Sequence, residues 1–229
     1  MRALSLPEAV PAGVEVWLLE LDLDAPVPEA DWRLLSDNEA ARAHRYRRHE
    51  DRLRAVATRA ALRRLLGERL DRPPASLSFD ANLHGKPRLP IGTGIEFNVA
   101  HSGRCALIAV GVAPGLASLG VDVEQHHPAI DFDALAAHAL TASERECLPA
   151  RDDTERFVAD FFLRWAGKEA VLKAVGVGIS ENLQRISIQP RADGGLDVQD
   201  EKVEWPLLRA HVLDVQPDYA AALAWQLKE

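Results

Sequence analysis

The chain is poor in several things at once. Of 229 residues, two are cysteine, one is methionine, two are tyrosine, and aromatics make up 6%. Cys105 and Cys147 are far apart and lack the paired spacing of a zinc site, which excludes a cysteine-based metal cluster and a disulfide scaffold. Two packed thiols in a reducing compartment are expected. No apolar run approaches the roughly 18 residues of a membrane span, and the opening Met1-Arg2-Ala3-Leu4-Ser5-Leu6-Pro7 breaks too early for a signal peptide. A soluble, cytoplasmic protein without a membrane partner is expected. Positive charge is in the minority: 27 Lys and Arg against 35 Asp and Glu leave −8, which argues against general nucleic-acid binding. The deficit is uneven, because residues 42 to 72 are rich in arginine. The apolar residues, 47% of the chain, suffice for one large core or for two domains of about a hundred residues each.

A proline-free run from Phe157 to Val175 organises the rest. Phe161, Phe162, Trp165, Leu172 and Val175 recur at helical spacing and define a buried stripe. Glu169 falls inside that apolar arc, with Lys173 one turn further along the same side. A carboxylate facing the interior needs a cation, either the lysine in an internal ion pair or a metal ion. A second stretch, Leu119-Gly120-Val121-Asp122-Val123-Glu124, alternates as a strand does, placing Asp122 and Glu124 on one face and Val121 and Val123 on the other. Two adjacent carboxylates repel each other. A hard cation with oxygen ligands relieves that, and Mg²⁺ takes one or two such groups and completes its shell with water and phosphate. Neither motif carries His or Cys, which argues against zinc.

From the start of the chain, Val14 to Leu21 reads as a strand. Ser36-Asp37-Asn38-Glu39 caps a helix running to about Tyr46, and a longer helix spans His49 to about Leu70, with Leu53, Val56, Ala60, Leu65 and Leu66 buried and arginines covering the remainder. Pro73-Pro74 stops it. Leu77-Ser78-Phe79 reads as a short strand, followed by a turn at His84-Gly85-Lys86-Pro87 with an exposed lysine, then strands at 95–103 and 106–112. After Pro114-Gly115 the order repeats: strand 119–124, helices 132–140 and 154–175, strand 185–189, a hairpin from Asp193, and strands near 207–215 and 219–226. This divides the chain into halves 1–115 and 116–229. Thr141-Ala142-Ser143-Glu144 is a helix cap. His126 and His127 read as surface residues, Tyr219 and Trp225 as core.

Gly-Val-Asp-Val-Glu at 120–124, followed by Trp-Ala-Gly-Lys-Glu-Ala-Val-Leu-Lys at 165–173, resembles the signature pair of the 4′-phosphopantetheinyl transferases, in their larger, single-chain class. The resemblance implies an α+β fold of two similar halves packed as a pseudo-dimer, with coenzyme A in the cleft between them. It implies transfer of the 4′-phosphopantetheine group of coenzyme A to a serine of an apo acyl or peptidyl carrier protein, releasing adenosine 3′,5′-bisphosphate. By that resemblance Asp122, Glu124 and Glu169 hold Mg²⁺, while Lys173, Lys86 and His101 share the phosphate charge. The serine proton goes to Glu169, to a water on the metal, or to Lys168. One or two of Arg45, Arg48 and His49 meet the 3′-phosphate, and Glu144 falls where the family carries a glutamate near the metal. Ala100 stands where the family has serine, removing a hydroxyl contact of about 1 kcal/mol. A monomer is expected. Two other readings are a different Mg²⁺-dependent phosphoryl or nucleotidyl transferase, and a catalytically silent coenzyme-A-binding protein; intact Asp122, Glu124, Glu169 and Lys173 count against the latter.

Overall fold

The computed structural model describes residues 1–127, 130–200, 202 and 204–228. The N-terminal part comprises β1 (Arg2–Ala3), β2 (Val14–Glu20), α1 (Glu29–Trp32), α2 (Asp37–His44), α3 (His49–Leu70), β3 (Asp80–Ala81), β4 (Pro87–Arg88), β5 (Glu96–Ser102) and β6 (Cys105–Gly111). The C-terminal part comprises β7 (Leu116–Gln125), α4 (Phe132–Ala139), α5 (Ala142–Glu146), α6 (Thr154–Val175), β8 (Ile186–Pro190), β9 (Gly195–Asp200), β10 (Arg209–Val212) and β11 (Tyr219–Leu227). Two antiparallel sheets result, ordered β1-β2-β6-β5 and β7-β11-β10-β9-β8, with β3 and β4 forming a separate hairpin. The fold is α+β, and the parts repeat one plan: an antiparallel sheet with a 22-residue helix, α3 or α6, on its outer face.

Period-two alternation on the strands builds the layers. On β6, Cys105, Leu107 and Ala109 turn toward the second sheet and meet Leu119, Val121, Val123, Leu223 and Trp225, while Ala106, Ile108 and Val110 turn toward Leu62, Leu65 and Leu66 of α3. On β11, Ala220, Ala222 and Ala224 turn toward Phe161, Ala166 and Ala170 of α6. The order is therefore helix, sheet, sheet, helix. Helix ends follow local chemistry: Ser36 and Glu39 complete a capping box on α2, Asp153 caps α6, and Gly176 ends α6 with φ +82° in the left-handed region that favours glycine. No helix among the described residues is long and apolar enough to cross a membrane.

Several expectations need correction. Residues 77–79 are not a strand; the Arg63 guanidinium donates to the carbonyls of Pro74 and Leu77 and ties this segment to α3. Arg63 itself does not cover α3 from outside: it is 1% exposed and pairs with Glu39 at 2.7 Å. Cys147 is exposed rather than packed, whereas Cys105 is buried. Tyr219 is half-buried, its hydroxyl accepting a hydrogen bond from the Arg104 amide. His126 is not a free surface residue, since its ring stacks on Phe162 with centroids 5.4 Å apart.

Candidate active site

The acidic face of β7 turns toward α6. Gly120 makes the approach possible: a Cβ there would collide with the Ala170 carbonyl oxygen and the Ala174 amide, so only glycine lets the helix lie this close to the strand. Opposite, the β11 partners of Asp122 and Glu124 are Ala222 and Ala220, side chains small enough to leave the helix room. Trp165, Glu169 and Lys173 follow each other at four-residue spacing and form the stripe that meets β7.

Lys173 Nζ lies 2.5 Å from Asp122 Oδ1 and 3.7 Å from Glu169 Oε2, so its closer partner is the strand carboxylate rather than its helical neighbour. The Trp165 indole N–H donates to Glu169 Oε1 at 2.8 Å, and the Ser102 hydroxyl donates to Glu124 Oε2 at 2.9 Å. Asp122, Glu124 and Glu169 each offer an oxygen, and these oxygens lie within 4.8 Å of one another. Asp122 is 2% exposed, yet its Oδ2 has no hydrogen-bond partner among the described residues. Burial, reinforced by Glu169 and Glu124 against the pull of Lys173, raises the Asp122 carboxyl well above its ordinary range. Burial and then Glu169 push Glu124 up to about 7. Burial acts to lower Lys173, but the three carboxylates outweigh it and keep the ammonium charged. One lysine cannot neutralise three carboxylates. The orphaned buried oxygen and the all-oxygen donor set fit a hard divalent cation such as Mg²⁺, and nothing in the cluster favours zinc.

The other expected residues lie in four places. Lys168 and Glu144 are not in the cluster. Both are fully buried behind α6, 2.5 Å apart, with Lys168 donating to the carbonyls of Ala139 and Leu183 and Glu144 accepting from the Ile188 and Thr141 amides. Glu144 thus serves α5 and β8, and its expected place beside the metal is not what the fold provides. Lys86 is half-buried rather than exposed. Its ammonium donates to Leu119 O at 2.9 Å and Ala174 O at 3.4 Å, capping the end of α6 from the N-terminal part, and burial brings its pKa to about 8. Arg45, Arg48 and His49 are exposed, and His49 Nε2 is 2.8 Å from Ala25 O.

His101 faces a cavity of about 160 Å³ between α2, α3 and β5 that none of those three residues lines; Arg42, Tyr46, Thr58 and Arg59 do. Thr58 Oγ1 and Arg59 Nη1 are buried there without a hydrogen-bond partner among the described residues. Surrounding protein, then Arg54 and Lys173, holds the His101 imidazole below its ordinary pKa although the ring still reaches solvent. Arg42 and Arg59 were hidden in the sequence among the eleven arginines of residues 42–72; the one available signal was a threonine and an arginine adjoining the apolar stripe of α3. Ala100 points between the sheets, with Leu107 and Val121 in the same cluster, so a serine hydroxyl at this position would meet apolar side chains rather than the cleft.

Val99 lines both the cavity beside His101 and a second one of about 290 Å³, which is bounded by Lys86, Pro87, Lys173, Val177 and Ile179. Val99 thus stands between the two cavities, and the second, walled by both parts of the chain, reaches the carboxylate cluster through Lys173.

A sequence model of the 4′-phosphopantetheinyl transferase superfamily matches residues 118–224, and one for the N-terminal part of 4′-phosphopantetheinyl transferases matches residues 29–112. The chain is 36% identical over 179 residues to the 4′-phosphopantetheinyl transferase HetI of a Nostoc species, covering 76% of this chain and 73% of that one. It is 25% identical over 190 residues to the 4′-phosphopantetheinyl transferase Sfp of Bacillus subtilis, covering 82% and 81%. A holo-(acyl-carrier-protein) synthase from Bacillus anthracis, solved in complex with coenzyme A, overlaps 50% of this chain at a TM-score of 0.41 and 21% identity. The chain belongs to the 4′-phosphopantetheinyl transferase family.

Proposed function

We propose that the protein transfers the 4′-phosphopantetheine arm of coenzyme A to a serine hydroxyl of an apo acyl or peptidyl carrier protein and releases adenosine 3′,5′-bisphosphate. The observation that carries this is the convergence of Asp122, Glu124, Glu169 and Lys173 beside a cavity that meets a second one at Val99, the two read here as one groove whose far end holds the unused Arg59 Nη1 and Thr58 hydroxyl. Asp122, Glu124 and Glu169 would hold Mg²⁺, which when bound supplies charge neutralisation on the pyrophosphate. Lys173 orders the carboxylates and places a fixed cation where phosphate charge develops. Trp165 keeps the Glu169 carboxylate turned into the site. The serine oxygen attacks the phosphorus that carries the pantetheine arm, the bond to the 5′-phosphate breaks, and the hydroxyl proton passes to a carboxylate of the cluster. Lys168, closed off against Glu144, takes no part in that transfer.

The 3′-phosphate belongs in the cavity beside His101, which Arg42 lines and where Arg59 Nη1 and the Thr58 hydroxyl are left unused although Arg59 also pairs with Glu39 through its Nε. Lys86 borders the middle of the groove. The chain divides into halves 1–115 and 116–229, a reading supported by two family models that part between residues 112 and 118. One copy supplies both walls of the groove, which supports a monomer, and the scarcity of cysteine supports the cytoplasm. Incubation of an apo carrier protein with coenzyme A and Mg²⁺ tests the reading by mass spectrometry. Gain of one phosphopantetheine mass is expected. Gain of a nucleotidyl mass points instead to another Mg²⁺-dependent transferase, and coenzyme A binding without any mass change points to a silent binder.

A further inference from the structure

β5 and β7 run side by side but share no backbone ladder, since each lies at the edge of its own sheet. Side chains from β5 bridge the seam instead. Asn98, 5% exposed, accepts a hydrogen bond from the Val121 amide at 2.9 Å through its Oδ1. Four residues on and on the same face, the Ser102 hydroxyl accepts from the Gln125 amide at 3.1 Å and donates to Glu124 Oε2 at 2.9 Å. These contacts bracket Asp122 and Glu124. An ionised carboxylate only accepts, so the hydroxyl's one proton lies in the bond to Glu124 while the Gln125 amide occupies one of its two lone pairs. The turn that carries Ser102 is itself held from both parts of the chain: Arg54 of α3 donates to Gly103 O at 3.0 Å, and Tyr219 of β11 accepts from the Arg104 amide at 2.9 Å. Gly103 has φ +53°, in the left-handed region that favours glycine, and a Cβ there would press on the side-chain ends of Gln125 and Tyr219.

We propose that Ser102, supplied by the N-terminal sheet, is the positioning residue for Glu124: it holds that carboxylate in the orientation that receives the divalent ion, so the metal site of the C-terminal part is finished by the other part. A glutamate has three side-chain torsions to lose on ligation, and an outer hydrogen bond that removes this freedom beforehand strengthens metal binding. The inference rests on the reading of Asp122, Glu124 and Glu169 as metal ligands.

The test titrates Mn²⁺ alone into the full-length protein and measures free ion by electron paramagnetic resonance, so no turnover is involved. Ser102→Ala should weaken Mn²⁺ binding roughly tenfold or more, with a melting curve like the parent's, and Ser102→Thr should restore it. Ser102→Cys, a poor donor of nearly the same size, should behave as the alanine variant does and serves if alanine fails to fold. Parent-like Mn²⁺ affinity in Ser102→Ala or Ser102→Cys, together with loss in Glu124→Gln, overturns the inference alone. Absence of Mn²⁺ binding by the parent protein overturns the metal reading and the inference with it.

Discussion

Helix α6 carries two lysines, each paired with a carboxylate, and the two pairs are built to opposite ends. Lys168 and Glu144 saturate each other: the ammonium has two carbonyls besides its carboxylate, and the carboxylate has two amides besides its lysine. Lys173 and Asp122 do not. Asp122 Oδ2 has no partner among the described residues, and two further carboxylates crowd the same few ångströms. Both lysines stand in the same nine-residue motif and both pairs are largely out of solvent. Saturation is what separates them: a completed network holds elements together, whereas an incomplete one is costly until a ligand completes it.

The largest expected effect follows from breaking the incomplete pair. Asp122→Ala or Glu169→Ala should lower the rate of carrier modification by roughly a hundred- to thousandfold or more, with near-parent urea melting. Transfer at the parent rate in either variant, or in the absence of divalent metal, would count against the site. Breaking the complete pair should do the reverse: Lys168→Met leaves Glu144 buried and uncompensated, and should cost about 3–5 kcal/mol of folding stability in urea titration, with the folded fraction still able to bind coenzyme A. A stable Lys168→Met protein that cannot transfer would return Lys168 to the chemistry.

The comparison sharpens at the far end of the groove. Coenzyme A should bind ten- to a hundredfold more tightly than its dephospho form, the equivalent of about 1.5–3 kcal/mol for charge-assisted contacts. Arg42→Ala with Arg59→Ala should erase that ratio in calorimetry, while Arg48→Ala with His49→Ala should leave it standing. The opposite pattern would restore the exposed cluster as the phosphate site.

The smallest effects are pH slopes of stability. Glu124 is raised to about 7 in the metal-free fold, against about 4.5 in the unfolded chain, so between those values the folded state binds more protons and stability falls as pH rises. Mg²⁺ should therefore raise the melting temperature more at pH 7.5 than at pH 5, and Glu124→Gln should flatten the metal-free slope. Lys86 runs the other way. Its folded pKa of about 8 lies below the unfolded 10.5, the unfolded state binds more protons in that window, and stability should climb from pH 8 toward 10.5 unless Lys86 is replaced by methionine.

Much of this molecule was determined by local sequence. Alternation at 119–124 set which residues of β7 share a face, and four-residue spacing put Trp165, Glu169 and Lys173 on one stripe; both patterns follow from backbone geometry alone and needed no neighbour. Capping at Ser36, Thr141 and Gly176 is equally local. Tertiary structure decided everything that depends on which side chain meets which across distant elements. Lys168 and Lys173 are indistinguishable as residues, but α5 places Glu144 under one, and the close approach at Gly120 places Asp122 under the other. Arg42 and Arg59 face the cavity beside His101 while Arg48 and His49 face outward, because the packing of α2 on α3 selects among arginines that the helical pattern leaves equivalent. Ser102 reaches Glu124 because two sheet edges meet, a juxtaposition of residues 22 positions apart that no periodicity encodes.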